Sequence, residues 1–130
     1  MKENNKIFEI EVTKKLKIEQ EDIDDIMVGA LEGGINYWVN KVDVVGEYFG
    51  EYASDQISNG GTLRLHDYVE ESWHELTLDK FLNGIQKWYE DGYDRYNAVQ
   101  NDGTLDCCNI DAGAADSIVQ YAIFGEIIYA

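Results

Sequence analysis

Two histidines are the side chains in this sequence whose type and spacing best suit metal binding. His66 and His74 fall in two β-rich runs joined by a short loop, where they would face each other across a hairpin. Together with Asp67 or Glu75 they would ligate a metal ion. No third ligand follows at a diagnostic spacing, so a cross-strand polar pair is the favoured interpretation and a metal site the alternative.

Two adjacent cysteines offer a second candidate chemistry. Cys107 and Cys108 lie near Asp106 and Asp111, but no local signature of a catalytic nucleophile accompanies them. Neighbouring cysteines do not close an ordinary disulfide loop. We therefore expect reduced thiols in a cytoplasmic protein, where they fill a loop or the core.

Motifs for phosphate or calcium binding are also weak. The glycines at positions 29, 33 and 34 match neither a dinucleotide-binding nor a P-loop pattern, and the acids around them would repel phosphate. Residues 101–106 lack the spaced ligands of a calcium loop. The sequence predicts a protein with no catalytic residue, no bound metal and no cofactor.

Charge is the strongest signal in the chain. The 130 residues carry 26 Asp and Glu against 10 Lys and Arg, a net charge of −16. Residues 42–130 hold seventeen acids and four bases, a net charge of −13. Binding to nucleic acid or to an anionic membrane needs clustered Lys and Arg, so both are disfavoured. A basic protein partner fits this charge, and a solvated surface is its plain alternative.

The acids are concentrated in three places along the chain. They crowd residues 19–25, occur as a pair in the loop of the predicted hairpin, and alternate with tyrosines in residues 88–96. A protein that competes for a nucleic-acid channel needs rows of carboxylates, with aromatic rings where bases would stack. The predicted partner-binding residues are Asp22, Asp25, Glu32, Glu70, Glu71, Tyr89, Glu90, Asp91, Tyr93, Asp94 and Tyr96.

Alternating apolar and polar residues predict the strands that position these side chains. Residues 7–18 alternate, with Phe8, Ile10 and Val12 on one face, and predict a strand with one wet face. Residues 62–77 predict a hairpin. Residues 42–45 predict a short strand, and residues 126–130 a closing strand.

Helical periodicity predicts three helices. Residues 20–32 begin with acids and stop at two glycines. Residues 78–91 follow Thr77 as N-cap, and a last helix follows Asp111 and ends near Phe124. The length favours a single domain spanning 1–130. The predicted fold class is α+β, a mostly antiparallel sheet that includes residues 7–18 and 62–77, with two to three helices packed on one face.

No apolar run reaches the roughly 20 residues of a transmembrane helix, and the first residues do not read as a signal peptide. We therefore expect a cytoplasmic protein.

Four stretches of the chain carry a family resemblance. Residues 22–38, 60–65, 76–93 and 109–126 resemble small acidic proteins found on bacteriophages and integrated mobile elements. That family has no established activity, so the resemblance transfers no catalytic residue. It implies a genomic setting rich in proteins that block host defence, where several anti-CRISPR and antirestriction families are small, acidic and without enzymatic motifs.

Charge and resemblance together predict a nucleic-acid mimic that is not an enzyme. It would act in the cytoplasm of the host cell and block the basic nucleic-acid channel of a defence nuclease, foremost a CRISPR effector. One alternative is a small metal-dependent enzyme that uses His66, His74 and nearby carboxylates. Another is a phage structural or regulatory module that associates with itself, for example as a homodimer.

Overall fold

The computed structural model describes residues 5–12 and 14–130 of the chain. Its main elements are α1 (Gln20–Gly29), β1 (Val39–Val45), β2 (Thr62–Asp67), β3 (Ser72–Leu76), α2 (Leu78–Glu90) and α3 (Ala112–Phe124). A π-helical turn, Ala30–Gly34, continues α1, and short 3₁₀ turns lie at Ala53–Asp55 and Cys107–Asn109. The strands form one antiparallel sheet in the order β1-β2-β3, and the predicted α+β class is confirmed.

The predicted hairpin is formed by β2 and β3. Leu63 and Leu65 of β2 point into the core, where Leu63 pairs with Leu76 across the ladder. Arg64 lies between them in sequence and takes the opposite face, as the period of two requires. The Asp67 carboxylate accepts the N–H groups of Val69 and Glu70, at 3.0 and 3.1 Å, and holds the turn between the strands.

The two longer helices begin where the sequence predicts. The Thr77 hydroxyl accepts the Lys80 N–H at 3.3 Å, and the Asp111 carboxylate accepts the Ala114 N–H at 2.8 Å. Each side chain thereby satisfies one of the N–H groups that a helix start leaves unpaired. Helices α2 and α3 then cross closely, since a Cβ on Gly84 would meet the Ala122 nitrogen at 2.6 Å.

Helix α1 also has the predicted acidic start. The Asp22 carboxylate accepts the Glu19 N–H at 2.9 Å. The α-helix ends at Gly29, and the π-helical turn continues to the predicted stop at Gly33 and Gly34, where it contacts the start of α3. A Cβ on Gly34 would collide with the Ala112 carbonyl oxygen, so this contact requires glycine.

The strand predicted over residues 7–18 is wrong. Residues 7–12 lie outside any strand, Thr13 lies outside the described residues, and Lys17 makes only an isolated bridge to Thr104. Phe8 and Ile10 are each 85% exposed. Alternation makes an amphipathic strand possible, but no neighbouring strand among the described residues supplies the backbone partners that would form it.

The closing strand predicted over residues 126–130 is wrong as well. The Gln120 side-chain oxygen of α3 accepts the N–H groups of Ile128 and Tyr129, at 2.8 and 2.9 Å. The Tyr129 ring stacks on Trp38, with centroids 5.2 Å apart. A side chain of α3 therefore takes the place of a strand as the partner of this tail.

The core lies between the inner face of the sheet and the three helices, as predicted. No helix within the described residues is long and apolar enough to cross a membrane. The largest fully buried side chains are Trp38, Trp88, Phe81, Ile26, Met27, Ile35, Ile57, Leu63, Leu65, Leu76, Ile85 and Ile118.

Candidate partner-binding site

The two histidines lie on opposite faces of the sheet, so the predicted facing pair is wrong. His66 pairs with Trp73 across the ladder, whereas His74 pairs with Leu65 on the inner face. The His66 Nδ1 atom lies 2.6 Å from the Asn40 side-chain oxygen, and the His74 Nε2 atom lies 3.3 Å from Asp67. One metal ion cannot bind both rings, because His74 follows Trp73, the direct partner of His66, and successive residues of a strand point to opposite faces.

The two cysteines differ in exposure, since Cys107 is half-buried and Cys108 is exposed. The Cys107 Sγ atom lies 3.5 Å from the Asp22 carboxylate. Burial, reinforced by the nearby carboxylates, raises the pKa of the Cys107 thiol to about 12. A thiol held neutral in this way is a poor nucleophile at neutral pH.

Clusters of metal-ligating side chains are not found in the described part of the chain. No three His, Cys, Asp or Glu side chains there are grouped closely enough to hold a metal ion.

The acids of α1 form a depression together with the loop that carries the cysteines. Asp22 and Asp25 line an open hollow of about 460 Å³, together with Glu21 and Asp106. Asp25 and Glu21 are exposed, whereas Asp22 is partly committed to capping α1. Asp106 is distant in sequence from the acids of α1, and no local pattern predicts that it lies beside them. This cluster of acids is therefore assembled only when the chain folds.

Three further predicted acids are exposed on turns. Glu32 lies on the π-helical turn, and Glu70 and Glu71 lie in the loop between β2 and β3. Glu71 has a φ of 54°, in the left-handed region that non-glycine residues rarely adopt. These carboxylates project from the fold without being part of the hollow beside α1.

The interleaved stretch of tyrosines and acids borders a cleft. Tyr93, Asp94 and Tyr96 line this cleft of about 450 Å³, which opens between their loop, the first half of α3 and the chain's last residues. The Asp94 carboxylate accepts the N–H groups of Ala98 and Val99, at 2.7 and 2.9 Å. Asp94 therefore shapes the loop that forms one wall, in addition to contributing charge.

The other three residues of this stretch lie at the end of α2. Tyr89 is half-buried against the core, and Glu90 is exposed and accepts a hydrogen bond from Gln86. Asp91 accepts the Tyr121 hydroxyl at 2.7 Å. Burial, together with this carboxylate, raises the pKa of Tyr121 well above its ordinary value. Asp91 thus joins α2 to α3 while remaining exposed.

The opposite wall of the cleft contains residues that the sequence analysis missed. Asp116 of α3 is 7% exposed and accepts hydrogen bonds from the Tyr37 hydroxyl at 2.6 Å and from the Trp38 indole at 2.8 Å. Burial, followed by the contact with Asp116, raises the pKa of Tyr37 well above its ordinary value. In the sequence, Asp116 is one polar residue in a largely apolar helix. No local pattern indicates its role, because its hydrogen-bond partners lie about 80 positions away.

Aromatic rings and carboxylates together define what this cleft is suited to bind. Tyr37, Trp88 and Tyr129 line it together with Asp111 and Asp116. Ring faces and carboxylates both attract ammonium and guanidinium groups.

One cation of the chain itself already lies in the lining of this cleft. The Arg95 guanidinium lies 5.5 Å from the centre of the Tyr93 ring.

Very little of the negative charge is neutralised within the fold. Among the described residues, only Asp43 lies within 4 Å of a Lys or Arg side chain, at 3.9 Å from Arg64. Both of these side chains are partly exposed, so the pair is weak. The remaining carboxylates therefore contribute an uncompensated negative field.

Comparisons of the chain with protein-family models, with curated proteins and with solved structures find no match. Its function is therefore inferred from the geometry and the charge of its own residues.

Proposed function

We propose that this protein is an acidic inhibitor that occupies the basic nucleic-acid channel of a host defence nuclease, foremost a CRISPR effector. The observation that carries the proposal is the uncompensated charge: a net −16, with one Lys or Arg paired to a carboxylate among the described residues. Self-repulsion of this size weakens the compact state. A basic partner would relieve that repulsion on binding.

The arrangement of the acids supports mimicry of a nucleic acid. Glu21 and Asp25 are exposed beside one hollow, and Glu90 and Asp91 are exposed at the end of α2. Tyr96 lies exposed at the adjoining cleft, where a base would stack in a nucleic acid. Nuclease channels are lined with Lys and Arg that hold phosphates, and exposed carboxylates present the same charge to them.

The cleft gives this proposal a specific contact. A Lys or Arg side chain from the channel would enter the cleft beside Tyr96, whose ring is exposed, and approach the carboxylate of Asp111. Asp111 uses one oxygen to cap α3, which leaves the other free to accept a hydrogen bond. Charged hydrogen bonds of this kind are about twice as strong as neutral ones.

Binding without turnover is the second part of the proposal. The two histidines lie on opposite faces of the sheet, and the Cys107 thiol has a raised pKa. The His74 ring contacts Ser72 and Asp67 through the same nitrogen, Nε2, at 3.3 Å each, so it does not bridge a hydroxyl and a carboxylate as a catalytic triad requires. The protein would therefore act by occupying a surface.

Competition binding tests this function directly. Guide-loaded CRISPR effectors and restriction nucleases are incubated with labelled target DNA, and displacement of the DNA by the protein is followed by fluorescence anisotropy. We expect displacement from at least one nuclease, with an affinity that falls steeply as salt rises, because the Debye length at 0.15 M is only about 8 Å.

Two triple charge-reversal variants, matched in net charge, test which surface binds the nuclease. Glu21→Lys, Asp25→Lys and Glu90→Lys together should slow association strongly, since steering depends on the local field. Glu47→Lys, Glu51→Lys and Glu126→Lys change the net charge equally at exposed positions outside the hollow and the cleft. Equal effects of the two triple variants, or displacement that salt does not weaken, would contradict mimicry by the proposed surface.

A further inference from the structure

Residues 7–12 form an unpartnered segment with the composition of a strand. We refer to them as the N-terminal segment. The side chains of Ile7, Phe8, Ile10 and Val12 are 81–85% exposed. No backbone hydrogen bond joins these residues to the rest of the described chain. Four large apolar side chains exposed together are costly in water and indicate a surface that becomes covered.

The sheet has an open edge of matching length. Strand β1 pairs with β2 on one side, and its other side has no neighbouring strand in the described part of the chain. A shallow groove of about 360 Å³ lies against β1, lined by residues 42–45, by Tyr48 and, from β2, by Arg64. Tyr48 and Phe49 are more than half exposed next to it. An exposed edge strand is a template for pairing with another strand.

The opposite edge, formed by β3, is less suited to accept a strand. It has five residues against seven in β1. The Lys80 ammonium also donates to the Glu75 carbonyl oxygen at 2.9 Å. This side chain occupies a backbone acceptor that an added strand would need.

The two faces of the N-terminal segment complement the two faces of β1. Phe8, Ile10 and Val12 share one face, and Val42 and Val44 of β1 are half-buried at the margin of the core. Pairing that places these apolar side chains on the same side of the sheet would extend the core outward.

The charges agree with the same pairing. The other face of the segment carries Glu9 and Glu11. The outer face of β1 carries Lys41 and Asp43, and Asp43 is paired with Arg64 of β2 at 3.9 Å. Lys41 has no carboxylate within 4 Å among the described residues. An acid of the segment would therefore meet Lys41, while Arg64 already offsets the charge of Asp43.

We propose that the N-terminal segment of one copy adds as a fourth strand to the β1 edge of a second copy, and that reciprocal exchange forms a two-fold dimer. The segment leaves its own fold beside α2, where Lys14 and Leu16 line a hollow with Gln86. Lys17 fixes that exit by donating to the Gly103 carbonyl at 2.8 Å. A second copy supplies both complementary surfaces at once, as a two-fold interface requires.

Measuring the mass in solution tests the dimer. Light scattering and sedimentation of the full chain should give twice 14.8 kDa, with dissociation on dilution. Ile10→Lys should return the mass to that of one chain without lowering the thermal midpoint of the monomer, because the side chain is 85% exposed. Val69→Lys, at an exposed apolar residue of the β2–β3 loop, is the matched control and should leave the dimer intact.

Cross-linking identifies the strand that accepts the segment. In a background with Cys107→Ser and Cys108→Ser, chains bearing Ile10→Cys are mixed with chains bearing Val42→Cys or Val44→Cys. One of these mixtures should form a disulfide-linked pair, since one register brings the Cβ atoms within reach. Chains bearing Val69→Cys should not link.

Three results would overturn the proposal. The first is a single-chain mass at every concentration, and the second is a dimer that survives Ile10→Lys. The third is a chain carrying both Ile10→Cys and Val44→Cys that links within itself at high dilution, which would place the segment on its own β1.

Discussion

The N-terminal segment and the β2–β3 hairpin share an alternating pattern of apolar and polar residues, but only the hairpin forms strands. In the hairpin, Leu63 and Leu65 are completely buried and each pairs with a residue of a neighbouring strand. In the segment, Phe8 and Ile10 are among the most exposed apolar side chains of the described chain. The difference shows that an alternating sequence is compatible with a strand, but that a strand forms only where a neighbouring strand pairs with it.

Two things distinguish the hairpin. Its strands are joined by a short loop, so each finds its backbone partner at little cost in chain entropy. Its inner face also carries a polar anchor, since the Asp67 carboxylate accepts hydrogen bonds from the loop and from the Tyr129 hydroxyl at 2.7 Å. Within the described part of the chain, the segment has neither a linked partner strand nor such an anchor.

Hydrogen exchange should show the largest difference between the two regions. Amides of Leu65 and its neighbours should exchange only when the whole protein unfolds. Their exchange should therefore be slower than in an unfolded chain by a factor of roughly 10³–10⁸, as in other small domains. Amides of residues 7–12 should exchange almost freely in dilute protein, where any dimer is dissociated. Mass spectrometry of peptides from both regions measures this contrast. Strong protection of the amides of residues 7–12 in the monomer would contradict the proposed contrast between the two regions.

Truncation of one apolar side chain in each region should give the next largest effect. Leu65→Ala should lower the free energy of unfolding by about 2–5 kcal/mol, because a buried leucine leaves a cavity. Ile10→Ala should change it by less than about 0.5 kcal/mol, as is usual at exposed positions. Urea denaturation of the dilute proteins measures both values. Similar losses from the two variants would mean that the segment packs on its own fold.

Loss of the polar anchor should give a smaller effect that depends on pH. Tyr129→Phe should cost about 1–3 kcal/mol at neutral pH, because Asp67 is buried and loses a donor. Tyr96→Phe is the control, since its hydroxyl is exposed. Urea denaturation at neutral pH compares the two variants.

The pH dependence follows from the carboxyl group of Asp67. Burial raises its pKa, but hydrogen bonds from Tyr129, Glu70, His74 and Val69 outweigh burial and hold the pKa below its ordinary value. Its ionisation therefore stabilises the fold above the unfolded pKa of about 3.9, and this contribution is lost as pH falls through the lower folded pKa. Acid titration of the unfolding free energy should be flatter in Tyr129→Phe than in the unmodified protein. Identical slopes would exclude Tyr129 as the anchor's donor.

Relief of strain in the hairpin loop should give the smallest change. Glu71 has a φ of 54°, which glycine adopts without cost. Glu71→Gly should raise the free energy of unfolding by up to about 1 kcal/mol, after the greater freedom of glycine in the unfolded chain is subtracted. Thermal unfolding compares this variant with Glu70→Gly. Residue 70 does not have a positive φ, so glycine there should only lower the stability. A loss in both variants would show that the loop does not constrain position 71.

Elements with local signals could be predicted from the sequence. Thr77 and Asp111 cap α2 and α3 as expected, because the cap and the N–H it accepts are three residues apart. Part of the candidate site was also predictable, since Tyr93, Asp94 and Tyr96 are near in sequence and border the same cleft. Asp116, Tyr37 and Asp106 were not predictable, because their neighbours come from distant parts of the chain.

The sequence by itself determined the periodicity, the helix starts and the excess of negative charge, since these depend on residue type and on neighbours a few positions away. Only the tertiary structure decided which alternating runs became strands, which carboxylates became buried acceptors, and which aromatic rings came to face one cleft. Strand pairing and burial depend on contacts between residues far apart in the chain. That is why residues 7–12 and 62–67, so alike in pattern, differ in the folded protein.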